Sequence, residues 1–146
     1  RYISVTGVQT CALPIWAAVT ALKADADRMG AEAALASWLA QGRPLAAFGH
    51  PLYPDGDVRA AALLEGVDLR DWGELAAAGE RLTGEPPNVD FALAALGYRY
   101  GWPEEAPFLI FATARTVGWL AHALEQALEG ELIRPRARYG GKRGAG

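Results

Sequence analysis

The sequence predicts an all-α protein, and three observations carry the prediction. Alanine and leucine dominate the 146 residues while isoleucine, threonine and valine are thin, a balance that favours helix over strand. Apolar residues recur at three- and four-residue spacing, as at Leu35, Trp38 and Leu39. Glycines and capping residues punctuate the chain at the length of a helix rather than of a strand. With 51% hydrophobic residues there is enough to build a core and no sign of disorder. The 17 acidic and 14 basic residues give a mild negative charge, and no reason to expect nucleic acid as a partner of the whole chain. No apolar run long enough to cross a bilayer is free of charge, so no membrane is expected either.

Residues 1–15, RYISVTGVQTCALPI, resemble the translation of a sequencing-library adapter with its index, and are expected to add nothing to the fold. Setting them aside removes Cys11, the only cysteine, and with it every disulfide, thiol or cysteine-metal chemistry. It also removes Arg1 from the basic residues, which leaves the rest slightly more acidic. On this reading the chain starts within a gene, and an upstream part is expected to be missing.

The elements follow in order. From Trp16 to Gly30, WAAVTALKADADRMG is alanine-rich and helix-permissive, with Gly30 as its stop. AEAALASWLAQG predicts a second helix ending at Gly42. VRAAALLEG predicts a helix from Val58 to Glu65, capped by Asp57 and closed by Gly66. WGELAAAGERLTG predicts another from Trp72 to Leu82, entered from Asp71 and left at Gly84. In EPPNVDFALAALG two prolines end one segment and Asn88 caps the next, whose apolar side is Val89, Leu93 and Leu96 and whose end is Gly97.

The longest helix is expected from Pro107 to Glu129, roughly 35 Å at 1.5 Å per residue, closed by Gly130. Its first half is apolar nearly all round, which predicts burial in a large protein or at a subunit interface. Arg115 inside it then needs an anion or a hydrogen-bond partner, with Trp119 and His122 on its face. Arg115, His122 and Glu125 argue against a membrane span. The tail ELIRPRARYGGKRGAG is basic and glycine-rich, as a solvated tail or a nonspecific nucleic-acid contact would be.

The candidate chemistry gathers in AAFGHPLYPDGDVRAA, Ala46 to Ala61. Prolines and glycines fix an irregular loop that presents His50, Tyr53, Asp57 and Arg59 within ten residues. Asp90, in the first turn of its helix, is a candidate base whose pKa the helix dipole is expected to lower. Two histidines without cysteines point to no metal site, and there is no phosphate-loop pattern. Residue chemistry alone suggests a site for a small polycarboxylate using acid/base catalysis.

FGHPLYPDGDVRA, PNVDFALAALG, FATARTVGWLAHALEQ and IRPRARY stand in the order and approximate spacing of the C-terminal part of citrate synthase. Four collinear blocks across roughly residues 30–140 make a specific resemblance. It implies an all-α fold in which residues 16–100 hold most of a small domain, while 101–146 form a long helix and tail returning to a large one. It implies a cytoplasmic homodimeric enzyme that joins acetyl-CoA to oxaloacetate and hydrolyses the citryl-CoA formed, with no cofactor beyond that co-substrate. Asp90 then resembles the base that deprotonates the acetyl methyl group, and His50 the histidine that polarises the oxaloacetate carbonyl. Arg59 and Arg115 match arginines that hold substrate carboxylates, for which the guanidinium fork is suited. Arg134 matches one that reaches the partner subunit's site. The backbone at Ala47, Phe48 and Gly49, with Asn88, resembles the wall that receives CoA.

Departures accompany the resemblance. The family's other catalytic histidine, which stabilises the enol, belongs to an upstream motif that is absent here, so the chain by itself is expected to be inactive. Val58 replaces the usual proline of the GDPRA block, and Ala46-Ala47 the usual Pro-Gly, which could alter the loop facing CoA. GHPLYP in place of GHRVYK leaves open a 2-methylcitrate synthase using propionyl-CoA. The competing class is a non-enzymatic helical dimerisation module, which would have no need for His50, Asp90, Arg59 and Arg115 together.

Overall fold

A computed structural model describes residues 7–129, with side chains from Ile15 onward. Among them the chain is all-α, as its composition predicts: α1 is Gly7–Met29, α2 Ala31–Ala40, α3 Val58–Leu64, α4 Asp71–Thr83, α5 Val89–Tyr100 and α6 Ala106–Glu129. Helix α1 starts upstream of Trp16, within the stretch that the adapter reading sets aside, and Ile15 packs against the core. The described residues fall into two compact units, one ending at Phe111 and the other starting at Ala112.

The core of the first unit is built where helices α1, α2, α4 and α5 meet. Trp16, Val19 and Leu22 from α1 join Ala34, Leu35 and Trp38 from α2, Trp72 and Leu75 from α4, and Phe91 and Leu93 from α5. Leu39 does not share the burial of Leu35 and Trp38; it faces solvent. Phe108 and Phe111 close the cluster edge-on against Trp16, at centroid distances of 5.9 and 5.5 Å. Lys23 is the one charged side chain of α1 taken inside. It pairs with Asp27 and lies over the rings of Trp72 and Tyr98, at 5.7 and 5.3 Å, which offset its lost hydration.

Two glycines set distances that matter for the site. A Cβ on Gly79 of α4 would stand 1.9 Å from Cζ of Phe48, so only glycine lets the Phe48 ring lie on that helix. Phe48 thereby anchors the loop that carries His50. Gly97 was expected to end α5, but the helix continues to Tyr100, and its stop is Gly101 in the left-handed conformation. Trp102 N–H donates to the Gly97 carbonyl at 2.9 Å, which completes that cap. Gly97 instead lies against Pro107, where a Cβ would meet Cγ at 3.3 Å.

A candidate active site between the His50 loop and helix α5

Asp57 and Asn88 build the frame. Asp57 caps α3, accepting the Arg59 N–H at 3.0 Å, as its position in the sequence predicts. The same carboxylate takes Nε–H and Nη2–H of Arg59, at 2.9 and 2.8 Å, and the Val89 N–H at 2.9 Å. One buried carboxylate thus ties the start of α3, the Arg59 guanidinium and the first residue of α5. Burial pushes its pKa up, but the Arg59 side chain and the two backbone donors outweigh that and hold it at about 2.

Asn88 makes the second tie. Its Oδ1 accepts the N–H groups of Asp90 and Phe91, at 3.0 and 3.3 Å, as an N-cap should. Its Nδ2 donates to the carbonyls of Ala46 and Gly49, at 2.8 and 2.9 Å. Backbone bonds from Asn88 N to Ala47 O and from Gly49 N to Pro86 O, each 3.0 Å, complete the joint as an isolated bridge of Phe48 and Pro87. The Asn88 amide, named above with the CoA wall, is thus fully occupied by its own chain. The side chains of Ala47 and Phe48 are in the core, so that segment offers a ligand only its backbone. The Ala47 methyl points inward, and replacing glycine there puts no bulk on the loop's outer side. Val58, in place of proline, is exposed at the first helical position.

Within this frame stand the candidate catalytic groups. His50 is half-buried, and its Nδ1 accepts the Leu52 N–H at 3.1 Å. In the neutral ring the proton then lies on Nε2, which has no partner among the described residues and is a free donor. The Tyr53 ring lies 5.1 Å from the His50 ring, and the Arg59 guanidinium carbon 4.7 Å from the Tyr53 ring. Arg59, expected to hold a substrate carboxylate, is clasped by Asp57 through Nε and Nη2; its Nη1 edge stays open.

Asp90 follows the Asn88 cap by two residues, and its carboxylate accepts no hydrogen bond among the described residues. The expectation that the helix start lowers its pKa is not met. Burial raises it, Arg59 counters, Asp57 adds to the rise, and the result is about 6. The cap explains why the dipole does not win: Asn88 already accepts the N–H groups that would otherwise stabilise an anion there.

Arg115 belongs to the second unit and is exposed, so it carries no buried charge that demands a partner. Trp119 and His122 are exposed as well, and His122 Nδ1 lies 3.1 Å from Glu125. Arg134 lies outside the described residues. Among the described residues no group of three or more His, Cys, Asp or Glu side chains could hold a metal ion, and no helix is long and apolar enough to cross a membrane.

The family model for the citrate synthase C-terminal domain matches residues 15–136. The chain belongs to the citrate synthase family. A citrate synthase of Haloferax volcanii is 41% identical over 116 residues, covering 72% of this chain and 31% of that protein. Citrate synthase 2 of Bacillus subtilis is 42% identical over 106 residues, covering 64% and 28%. A 2-methylcitrate synthase of Mycobacterium tuberculosis is 33% identical over 126 residues, covering 79% and 32%. The chain therefore spans about a third of the length of these citrate synthase relatives.

The sequence singles out His50, Asp90, Arg59 and Asn88 as candidates, and gives Asp57 the capping role alone among those that the structure shows for it. Its second role has a local signal: an arginine two residues after a capping aspartate can fold back onto the same carboxylate. Its third, as acceptor of the Val89 N–H, has none, because the donor is 32 residues away.

Proposed function

We propose that this chain carries the keto-acid cradle and the carbon-acid base of a citrate synthase-like acyltransferase, which condenses acetyl-CoA with oxaloacetate to citrate and CoA. The observation that carries the reading is Asp90: a half-buried carboxylate without a hydrogen bond among the described residues, its pKa raised to about 6, on a helix start tied to the His50 loop. A base of that pKa is ionised at neutral pH and basic enough to accept a carbon-bound proton.

Asp90 takes a proton from the methyl carbon of the acyl thioester. The carbon so activated attacks the keto carbon, whose oxygen accepts a hydrogen bond from His50 Nε2–H and takes up a proton on becoming a hydroxyl. Water then cleaves the thioester and releases CoA. The open edge of Arg59 takes a keto-acid carboxylate, Arg115 matches a further carboxylate-holding arginine of the family, and Arg134 serves the partner subunit's site in a cytoplasmic homodimer. Acyl-CoA is the co-substrate, contacting the backbone of Ala47, Phe48 and Gly49, and Asn88 supports that wall without touching the ligand. Residues 16–100 form the small-domain part of the enzyme. The enol-stabilising histidine of the family lies outside this chain, which is inactive by itself. A second reading, condensation of propionyl-CoA, is favoured by the 2-methylcitrate synthase that aligns with 79% of the chain.

Grafting residues 30–136 in place of the matching segment of the Bacillus subtilis citrate synthase 2 tests the reading. The chimera should condense acetyl-CoA with oxaloacetate, and its acetyl-CoA to propionyl-CoA rate ratio separates the two substrates. Asp90→Asn in it should cut turnover about 10²–10⁴-fold with keto-acid affinity kept. A folded Asp90→Asn chimera with near-normal turnover would refute the assignment.

A further inference from the structure

The family resemblance gives Tyr53 no role, yet its ring lies against both His50 and Arg59 in the loop. Its ring centroid is 5.1 Å from that of His50, inclined at 50°, and the Arg59 guanidinium carbon lies 4.7 Å from it on the other contact. The backbone fixes where the ring stands. Tyr53 N–H donates to the His50 carbonyl at 2.9 Å, and Gly56 N–H to the Tyr53 carbonyl at 3.1 Å, so two successive turns bracket the residue. The Tyr53 hydroxyl makes no hydrogen bond among the described residues, and the contacts of the side chain with His50 and Arg59 are made by the ring.

Each neighbour keeps some freedom without it. His50 is oriented by one exposed hydrogen bond, from Leu52 N–H to Nδ1 at 3.1 Å. A ring fixed at a single nitrogen can tilt about that bond or exchange its tautomer. Arg59 is clasped by Asp57, but its own side chain is 36% exposed, and water competes for the Nε and Nη2 donors. An aromatic face beside both removes those freedoms at once. Tyrosine has few rotatable bonds, so ordering it costs little entropy, and its face attracts a guanidinium.

We propose that Tyr53 is a positioning residue, whose ring locks His50 with Nε2–H outward and Arg59 with its Nη1 edge open. Its importance for catalysis rests on the reading of His50 and Arg59 given above; the positioning itself does not. The role belongs to the ring rather than to the hydroxyl, and that distinction makes it testable.

The experiment uses the chain as it stands, labelled with ¹⁵N and ¹³C. The ¹⁵N shifts of the His50 ring report its tautomer, and exchange of the Arg59 Nε–H with solvent reports the clasp. In the unmodified chain, His50 should show Nδ1 unprotonated and Nε2 protonated, and the Arg59 δ-protons should be shifted upfield by the Tyr53 ring. Tyr53→Phe should preserve all three signals. Tyr53→Leu should speed Nε–H exchange about tenfold, the scale of a lost cation–π contact, and average the His50 tautomers. The backbone N–H of Arg59, held by Asp57 alone, should keep its protection, which separates this effect from loss of the fold.

Unchanged tautomer and exchange in a folded Tyr53→Leu variant would overturn the proposal, as would loss of both in Tyr53→Phe, which would make the hydroxyl the acting group. Should Tyr53→Leu not fold, the unmodified chain still decides: Arg59 δ-protons at their random-coil positions overturn the role. None of these signals needs turnover, so a positioned but inactive site would sink the proposed reaction and leave the role of Tyr53 standing.

Discussion

Helices α5 and α6 are both rich in apolar residues, and they meet opposite fates. In α5 every residue from Phe91 to Gly97 is buried, so no side of that stretch faces water. Small residues make this possible: Ala92, Ala94, Ala95 and Gly97 let neighbours approach the backbone from several directions, and α1 and α3 both pack on it. In the second unit, the residues of α6 from Ala112 onward leave Val117 71% and Leu128 86% exposed, with Leu120 and Leu124 between them. Within that stretch Thr116 Oγ1–H donates to the Ala112 carbonyl at 2.8 Å, and His122 lies 3.1 Å from Glu125. Apolar content makes a helix eligible for burial; what decides it is whether partner surfaces exist to cover each side. The joint of Asn88 and Asp57 supplies them for α5, because it fastens a loop, an arginine and a second helix to its start.

The largest effect that would sharpen this contrast is expected at Phe91. It is fully buried against Phe48 and Trp72, and Phe91→Ala should cost about 3–5 kcal/mol of unfolding free energy in urea titrations. A loss under 1 kcal/mol would mean that α5 is not the centre of the core.

Next comes Asn88→Asp, which keeps the cap oxygen but turns a carboxylate oxygen toward the carbonyls of Ala46 and Gly49. Two donated bonds become repulsions in a buried place, and a destabilisation of about 2–4 kcal/mol is expected. If Asn88→Asp melts with the unmodified chain, the joint is not what holds the loop on α5.

The titration of the same region gives an intermediate effect with a definite sign. Asp90 has a folded pKa raised from 3.8 to about 6, so its ionisation opposes folding above about 6, and the penalty is relieved as pH falls from there toward 3.8. Asp90→Asn should therefore stabilise the chain by about 2–3 kcal/mol near pH 7 and by almost nothing near pH 4. Asp57 runs the other way: with a folded pKa lowered to about 2, its contribution is present above 3.8 and lost as pH falls through 2. An Asp90→Asn variant with equal gains at both pH values would show that the burial of Asp90 does not set its titration.

The smallest effect belongs to α6. Leu128→Ala removes apolar surface that nothing among the described residues covers, and the unfolding free energy should move by no more than about 0.5 kcal/mol. A loss above 2 kcal/mol would reveal a partner for that face.

Much of the helical frame was legible in the residues themselves. Asp57 and Asn88 as caps, Gly84 as a stop and the limits of α3 and α4 depend on bonds between residues a few positions apart, and local sequence encodes them. His50, Arg59 and Asp90 are singled out by the loop and helix start that carry them together with the family resemblance, since each taken alone is ordinary for where it stands. Three features were set by the tertiary structure alone. Gly97 read as a helix end because glycine breaks helices, but Pro107 packs where a side chain would stand and the helix runs on to Tyr100. Asp90 read as a carboxylate with a lowered pKa, since a helix start favours anions; burial, which depends on remote neighbours, reversed the direction. Burial of α6 was expected within a larger protein or at a subunit interface; among the described residues Phe108 and Phe111 reach the core, while Arg115 and most of the stretch from Ala112 onward are exposed. Capping and helix propensity act through neighbours in the chain, so the sequence by itself determined them. Burial is a property of which distant surfaces come together, and only the folded arrangement decided it.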